Sequence, residues 1–222
     1  MDIHPPRQAV TSLQQFLREL VTITAGILIA LTLDGLLSWR HHRTLVREAR
    51  ANILNELREN QRDLSKERQD LEKMEQDGQT LISLVHQLES NRKTPVRHFQ
   101  YTFSMAELHS TSWNTASTTG ALSFMPYIEV KRYTEVYDLQ RAFTALQERG
   151  FAASLDVQGL ATLLGRNPAT LTTAELSDAE RRLGIAMADV AAMEQIAEPL
   201  NRQYEELLDP RAERVTAGAG TR

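Results

Sequence analysis

Residues 49–74 read ARANILNELRENQRDLSKERQDLEKM. Residues 40–90 contain no proline and are rich in strong helix formers, so helix propensity runs through them unbroken. The apolar residues fall on a seam of alternating three- and four-residue steps. One seam position holds Leu57, Leu64, Leu71 and Val85, with Arg50 and Gly78 as exceptions. The other holds Val46, Ile53, Met74, Leu81 and Leu88, with Asn60 and Glu67 as exceptions. A seven-residue repeat of this kind marks a helix that buries one stripe against other helices. Two partners fit the stripe: a second chain in a parallel coiled coil, or later helices of the same chain. Asn60 and Glu67 interrupt it on successive repeats and predict a weak or register-setting layer. The charges elsewhere along the stretch read as a solvated face.

Upstream, residues 20–39 read LVTITAGILIALTLDGLLSW. Twenty helical residues reach roughly 30 Å, the thickness of a bilayer's hydrocarbon core, and Trp39 followed by Arg40, His41, His42 and Arg43 resembles an interfacial stop. Asp34 lies near the Trp39 end, where an acid costs less than at mid-span. A buried apolar helix of a soluble protein is the alternative, because the strictly uncharged run is short. Thr32, Leu33 and Asp34 offer no small-residue cleavage site, so residues 20–39 are expected to be an uncleaved single-pass anchor rather than a signal peptide. The anchor is expected to continue into the amphipathic helix of residues 40–92 as one rod. Within it Thr22, Gly26, Ala30 and Asp34 form a four-residue ridge, and small side chains on such a ridge let two membrane helices approach closely. That ridge is the candidate membrane helix–helix interface and implies a homo-oligomer. Positive-inside counting sets Arg7 and Arg18 against Arg40, Arg43, Arg47 and Arg50, placing the main domain on the cytoplasmic side. A short N-terminal tail held inside would send it to the periplasm instead.

The chain has 222 residues, 41% apolar and 24% charged, which describes an ordinary folded chain. It contains no cysteine, so disulfides, thiol catalysis and thiolate metal sites are excluded. A net charge of −4 argues against nucleic acid as a partner, which would need a concentrated basic face.

Asn91 to Pro95, NRKTP, should end the long helix. Residues 93–126 then form a Ser/Thr-rich connection that ends in HSTSWNTASTTGALSFMP, around Trp113 and Asn114. It reads either as a polar pocket walled by Trp113 or as a turn-rich linker that Trp113 anchors to a core. Residues 127–209 should complete a helical bundle. Tyr127, Tyr133 and Tyr137 share one side of its first helix and, with Trp113 and Asn114, make a candidate ligand or partner surface; the alternative is a core stripe with hydroxyls at its rim. Gly150 and Phe151 suggest a break, followed by a short helix over residues 157–164. Thr172 and Glu175 form a capping box that starts the last helix, and Pro199 should kink or divide it. Residues 1–19 and 210–222 read as tails, the latter too poor in apolar residues to fold.

The GILIAL run followed by an acid, Trp39 and a basic helix resembles uncharacterised bacterial single-pass membrane proteins of domain-of-unknown-function families. The string WNTASTTGALSFMPY, followed by V-x-x-Y-x-x-V-Y-D-L-Q up to Gln140, is similar to a pattern in the same group. The resemblance covers about residues 15–140. It implies a helical envelope protein of the bacterial inner membrane and carries over no catalytic residue.

Motifs for phosphate loops, dinucleotide binding, zinc hydrolysis and serine nucleophiles are missing. His41 and His42 are adjacent and project differently, and His109 has only Glu107 nearby. The expectation is an all-α, non-enzymatic protein without cofactor or metal. It would be a self-associating, membrane-anchored scaffold or adaptor that presents an elongated antiparallel bundle to a membrane or envelope protein. The alternative function is a sensory module with a ligand pocket near Trp113, acting through a separate partner.

Overall fold

A computed structural model describes residues 13–96 and 101–209. Among them there is no strand, and the fold is an all-α bundle. The helices are α1 (Leu13–Ser90), α2 (Thr111–Thr118), α3 (Tyr127–Leu164) and α4 (Thr173–Leu208), with short 3₁₀ turns at Ala121–Phe124 and Pro168–Thr170. The chain forms two compact units that meet between Glu48 and Ala49, so α1 contributes to both.

In the first unit, α1 is long and apolar enough to cross a membrane by length and composition. Its large apolar side chains, Phe16 through Trp39, are exposed within the chain. The Thr22 and Thr32 hydroxyls donate back to the Arg18 and Leu28 carbonyls at 2.9 and 2.7 Å, which satisfies them without an outside partner. Arg43 lies 5.3 Å over the Trp39 ring. The helix begins at Leu13, inside the stretch expected to be a tail; residues 1–12 lie outside the described residues.

In the second unit, the seam is buried along its whole length, with Ile53, Leu57, Leu64, Leu71, Val85 and Leu88 fully enclosed. Its partners belong to the same chain. Cross-contacts of α1 with α3 join residues 79, 81 and 80 apart in sequence (Arg50–Glu129, Glu56–Tyr137, Asn60–Gln140), so the two helices run parallel. Arg68 meets Glu198, Gly78 lies against Met187 and His86 meets Glu180, so α4 runs antiparallel to α1. Arg149 with Asp189 and Gln140 with Tyr204 set α4 antiparallel to α3. Antiparallel packing therefore holds at two of the three helix interfaces. Between α1 and α3 it does not, because the connection travels back along the bundle before α3 begins.

That return path is an extended strap, residues 101–110, which leads into α2. Tyr101 joins Leu81, Val85, Leu88, Val157, Leu160, Leu176 and Leu183 in the apolar core far from Ala49. Gly120, at φ +77°, makes the reversal from α2 into the 3₁₀ turn, a conformation costly for any side chain with a Cβ.

Neither α3 nor α4 is divided at the breaks expected in them. α3 passes through Gly150 and Phe151 without interruption. A Cβ at Gly150 would stand 2.9 Å from Met193 Cε and 3.0 Å from the Phe103 ring, so the glycine serves close packing. α4 likewise continues past Pro199 to Leu208. The expected capping box is present, with the Glu175 amide donating to Thr172 Oγ1 at 3.1 Å and the Thr172 amide to Glu175 at 2.8 Å. The Thr172 amide, Arg166 and the Thr172 hydroxyl hold the half-buried Glu175 carboxyl down at about 2. Pro126 stands just before α3 as its cap residue. The proposed tail at residues 210–222 lies outside the described residues.

Candidate functional site

The bundle carries polar side chains at the seam positions Arg50, Asn60 and Glu67 and, beside the seam, at Glu56, where apolar ones would be the default. A buried polar group costs free energy unless hydrogen-bonded, so each position must be answered by a partner. Three of the four layers are.

At the end where α1 enters the bundle, Arg50 donates to both oxygens of Glu129, Nε to Oε1 at 2.6 Å and an Nη to Oε2 at 2.7 Å. This bidentate geometry is the strong form of an ion pair, and Glu129 is almost wholly buried.

Further along α1, Glu56 is buried. It accepts from the Tyr137 hydroxyl at 2.6 Å, the Ser112 amide at 2.7 Å and the Trp113 amide at 3.4 Å. Helix α2 has no cap from its own side chains, so the Glu56 carboxylate, reaching from α1, satisfies its first amides. Burial and the hydrogen bond to Glu56 push the Tyr137 hydroxyl far above its usual range, so it remains a proton donor. The Trp113 ring stacks on Tyr137 at 5.3 Å and tilts against Tyr133 at 6.4 Å.

The next layer joins every long element. Asn60 Nδ2 donates to the His109 carbonyl at 2.7 Å, and the His109 amide donates to Asn60 Oδ1 at 2.8 Å. The carboxamide thereby imitates a neighbouring strand's peptide, which lets an extended backbone lie inside a helical bundle with its polar groups paired. Gln140 Nε2 donates to the same carbonyl at 2.9 Å, while Gln140 Oε1 accepts from Asn60 at 3.1 Å and Tyr204 at 2.8 Å. Burial also raises the Tyr204 hydroxyl above its usual range.

The fourth layer is less complete. Glu67, 2% exposed, lies beside Ser104 of the strap and Gln147 of α3. Its Oε1 and both amide atoms of Gln147 make no hydrogen bond among the described residues. Desolvation raises the Glu67 carboxyl above its ordinary range, with Asp70 adding to the shift and Ser104, Gln147 and Lys66 opposing it.

Of the residues singled out from sequence, Trp113, Tyr133 and Tyr137 come together, but facing inward: both tyrosines are buried and Trp113 is half-buried. They take the core role rather than that of an open surface. Asn114 is exposed on α2, and Tyr127 is 82% exposed at the start of α3. Thr22, Gly26, Ala30 and Asp34 are exposed along α1, and a Cβ at Gly26 would touch nothing within 4 Å. His41 and His42 have ring centres 6.0 Å apart, and His109 Nε2 lies 4.0 Å from Glu107. Among the described residues no three His, Cys, Asp or Glu side chains converge as metal ligands would.

Sequence reasoning missed Glu56, Glu129 and Gln140, and it placed Tyr204 on the buried stripe of the last helix without its hydrogen bond to Gln140. The available signal was spacing: Gln140 and Gln147 are seven apart, as are Asn60 and Glu67, and each pair lies on its helix's buried stripe. Chemically the ladder fixes geometry. Its donors point at carboxylates and carbonyls. No protein family, curated protein or solved structure matches the chain.

Proposed function

We propose that the chain is a membrane-anchored helical scaffold or adaptor, without catalytic activity, that self-associates through its anchor and presents its bundle to another membrane or envelope protein. The observation that carries this reading is the contrast along α1. Residues 16–39 leave every large apolar side chain exposed, whereas the seam from Ile53 to Leu88 is enclosed by α3, α4 and the strap. A soluble core helix would be covered, and residues 16–39 are not. The bundle needs no second copy to bury its seam, which leaves the Gly26 and Ala30 ridge as the place for self-association. The charge count favours a single pass through a bacterial inner membrane with the bundle in the cytoplasm.

The alternative, a ligand-sensing module at Trp113, would place its ligand against a ring already stacked on Tyr137. Scaffolding therefore has the stronger support. Two measurements test it. Protein expressed in bacteria should remain with the membrane pellet after alkaline carbonate washing, and release into the supernatant would remove the anchor. In detergent, Gly26→Leu should lower crosslinked dimer yield; an unchanged yield would refute the ridge as the contact.

A further inference from the structure

Among the described residues, four acids are buried in the bundle: Glu56, Glu67, Glu129 and Asp189. Three of them receive what an ionised carboxyl needs. Glu56 takes two backbone amides and the Tyr137 hydroxyl, Glu129 takes the Arg50 fork, and Asp189 takes Arg149 Nε at 2.6 Å. Glu67 has neutral polar neighbours instead, Ser104 of the strap and Gln147 of α3. Glu67 Oε1 and both amide atoms of Gln147 make no hydrogen bond among the described residues, in side chains 2% and 0% exposed. A buried carboxyl without a counter-charge takes up a proton rather than keep its charge.

One proton answers all three atoms. A neutral carboxyl and a carboxamide are complementary: the acid hydroxyl donates to the amide oxygen, and the amide nitrogen donates to the other acid oxygen. Protonated Glu67 Oε1 thus supplies the donor that Gln147 Oε1 lacks, while Glu67 Oε2 accepts from Gln147 Nε2. A carboxylate could serve only the nitrogen, and a metal cation only the oxygens. We propose that Glu67 is a proton-operated latch for the strap: with the proton bound, the acid–amide pair closes the layer beside Ser104, and with the proton lost, the strap opens to hydrate the carboxylate. The strap is the element that yields, because an extended segment lacks the internal hydrogen bonds of a helix. It is fastened on either side of Ser104, by Tyr101 in the apolar core and by His109 on Asn60, so opening is confined between them.

Other charges at this level are few. On α1, Asp70 raises the Glu67 carboxyl and Lys66 lowers it. From α4, Glu198 is paired with Arg68 at 3.0 Å, and Glu194 faces Glu75 and Glu72, which together with burial raise its carboxyl. Burial likewise holds Glu67 above its ordinary 4.5, so the latch is closed below 4.5 and opens as pH rises through the folded value.

Hydrogen exchange of a strap peptide in the full-length protein in detergent, corrected for the intrinsic pH dependence of amide exchange, reads the latch between about pH 5 and about pH 8. The parent strap should exchange several-fold faster at the upper pH than at the lower. Glu67→Gln, which offers Gln147 a complementary amide that cannot titrate, should exchange slowly throughout. A parent-minus-variant infrared spectrum should show a carboxylic-acid C=O band that fades over the same range. Glu194→Gln should behave as the parent. Dependence on pH that survives in Glu67→Gln or vanishes in Glu194→Gln would overturn the proposal, as would absence of the acid band. Closure at the upper pH that follows sodium or potassium concentration at constant ionic strength would assign the layer to a metal cation and refute the proton.

Discussion

Replacing Asn60 with leucine separates the two roles of the central layer. Leucine suits a slot between Leu57 and Leu64, and burying it in place of an amide contributes about 1.5–2 kcal/mol. The substitution removes three hydrogen bonds, two with the His109 backbone and one with Gln140 Oε1. Two of the groups left behind keep partners: the His109 carbonyl still accepts from Gln140 at 2.9 Å, and Gln140 Oε1 still accepts from Tyr204 at 2.8 Å. Only the His109 amide is stranded, at a cost of about 1–3 kcal/mol. The two effects nearly cancel, so global stability should change by less than about 1 kcal/mol. The strap should nevertheless open more easily by about 2 kcal/mol, roughly a 30-fold faster hydrogen exchange at 1.4 kcal/mol per factor of ten. Exchange mass spectrometry of a peptide covering residues 101–112, beside urea unfolding of the same protein, measures both. Unchanged exchange with leucine at position 60 would show that side-chain packing, not the Asn60 carboxamide, holds the strap. Asn60→Ala, which lacks the compensating burial, should lose about 2–4 kcal/mol globally.

Glu67→Gln should stabilise the bundle at neutral pH. A carboxyl raised in the folded state contributes stability that is complete below its ordinary 4.5 and is lost as pH rises through the folded value. The glutamine variant should therefore flatten the fall of stability above pH 4.5, and a pH series of thermal melts parallel to that of the parent would refute this. Gly150→Val pushes a branched side chain into Met193 and Phe103, and overpacking of this sort should lower unfolding free energy by about 2 kcal/mol in urea titration. Arg50→Met leaves the buried Glu129 carboxylate without its fork; with Arg50 itself 42% exposed, the discounted loss is about 2 kcal/mol, to be read as a lower melting temperature at pH 7.

Much of the bundle was legible in the sequence because its dominant signal is periodic. The seam from Val46 to Leu88 was found position by position, and both Asn60 and Glu67 proved to be buried members of it. The end of α1 and the Thr172–Glu175 capping box were legible because local chemistry sets them. Periodicity could not say whose helix covers the stripe, which left a second chain and the chain's own helices as equal solutions. Gly150 does not break α3 and Pro199 does not divide α4, because tertiary packing overrides the weak helix propensity of both residues. On α3 the buried stripe passes through Glu129, Gln140, Gln147 and Ser154, which an apolar count skips. The core reading of the tyrosine stripe holds for Tyr133 and Tyr137, but the pairing of Tyr137 with Glu56, 81 residues away, is one that no local pattern encodes.

The directions of the three long helices also decide how the bundle would carry load. α1 enters at Ala49 and α4 leaves at Leu208 on the same end, since α4 runs antiparallel to α1. Tension between those two points pulls α4 away one layer at a time, as in unzipping, instead of shearing all layers at once. The first layers to meet the force are the Arg132 contact with the Glu206 carbonyl and then the Tyr204, Gln140 and Asn60 junction. Yielding there would loosen the strap's attachment at His109 while the distant apolar core, where Leu81, Val85 and Leu88 meet Leu176 and Leu183, stayed closed.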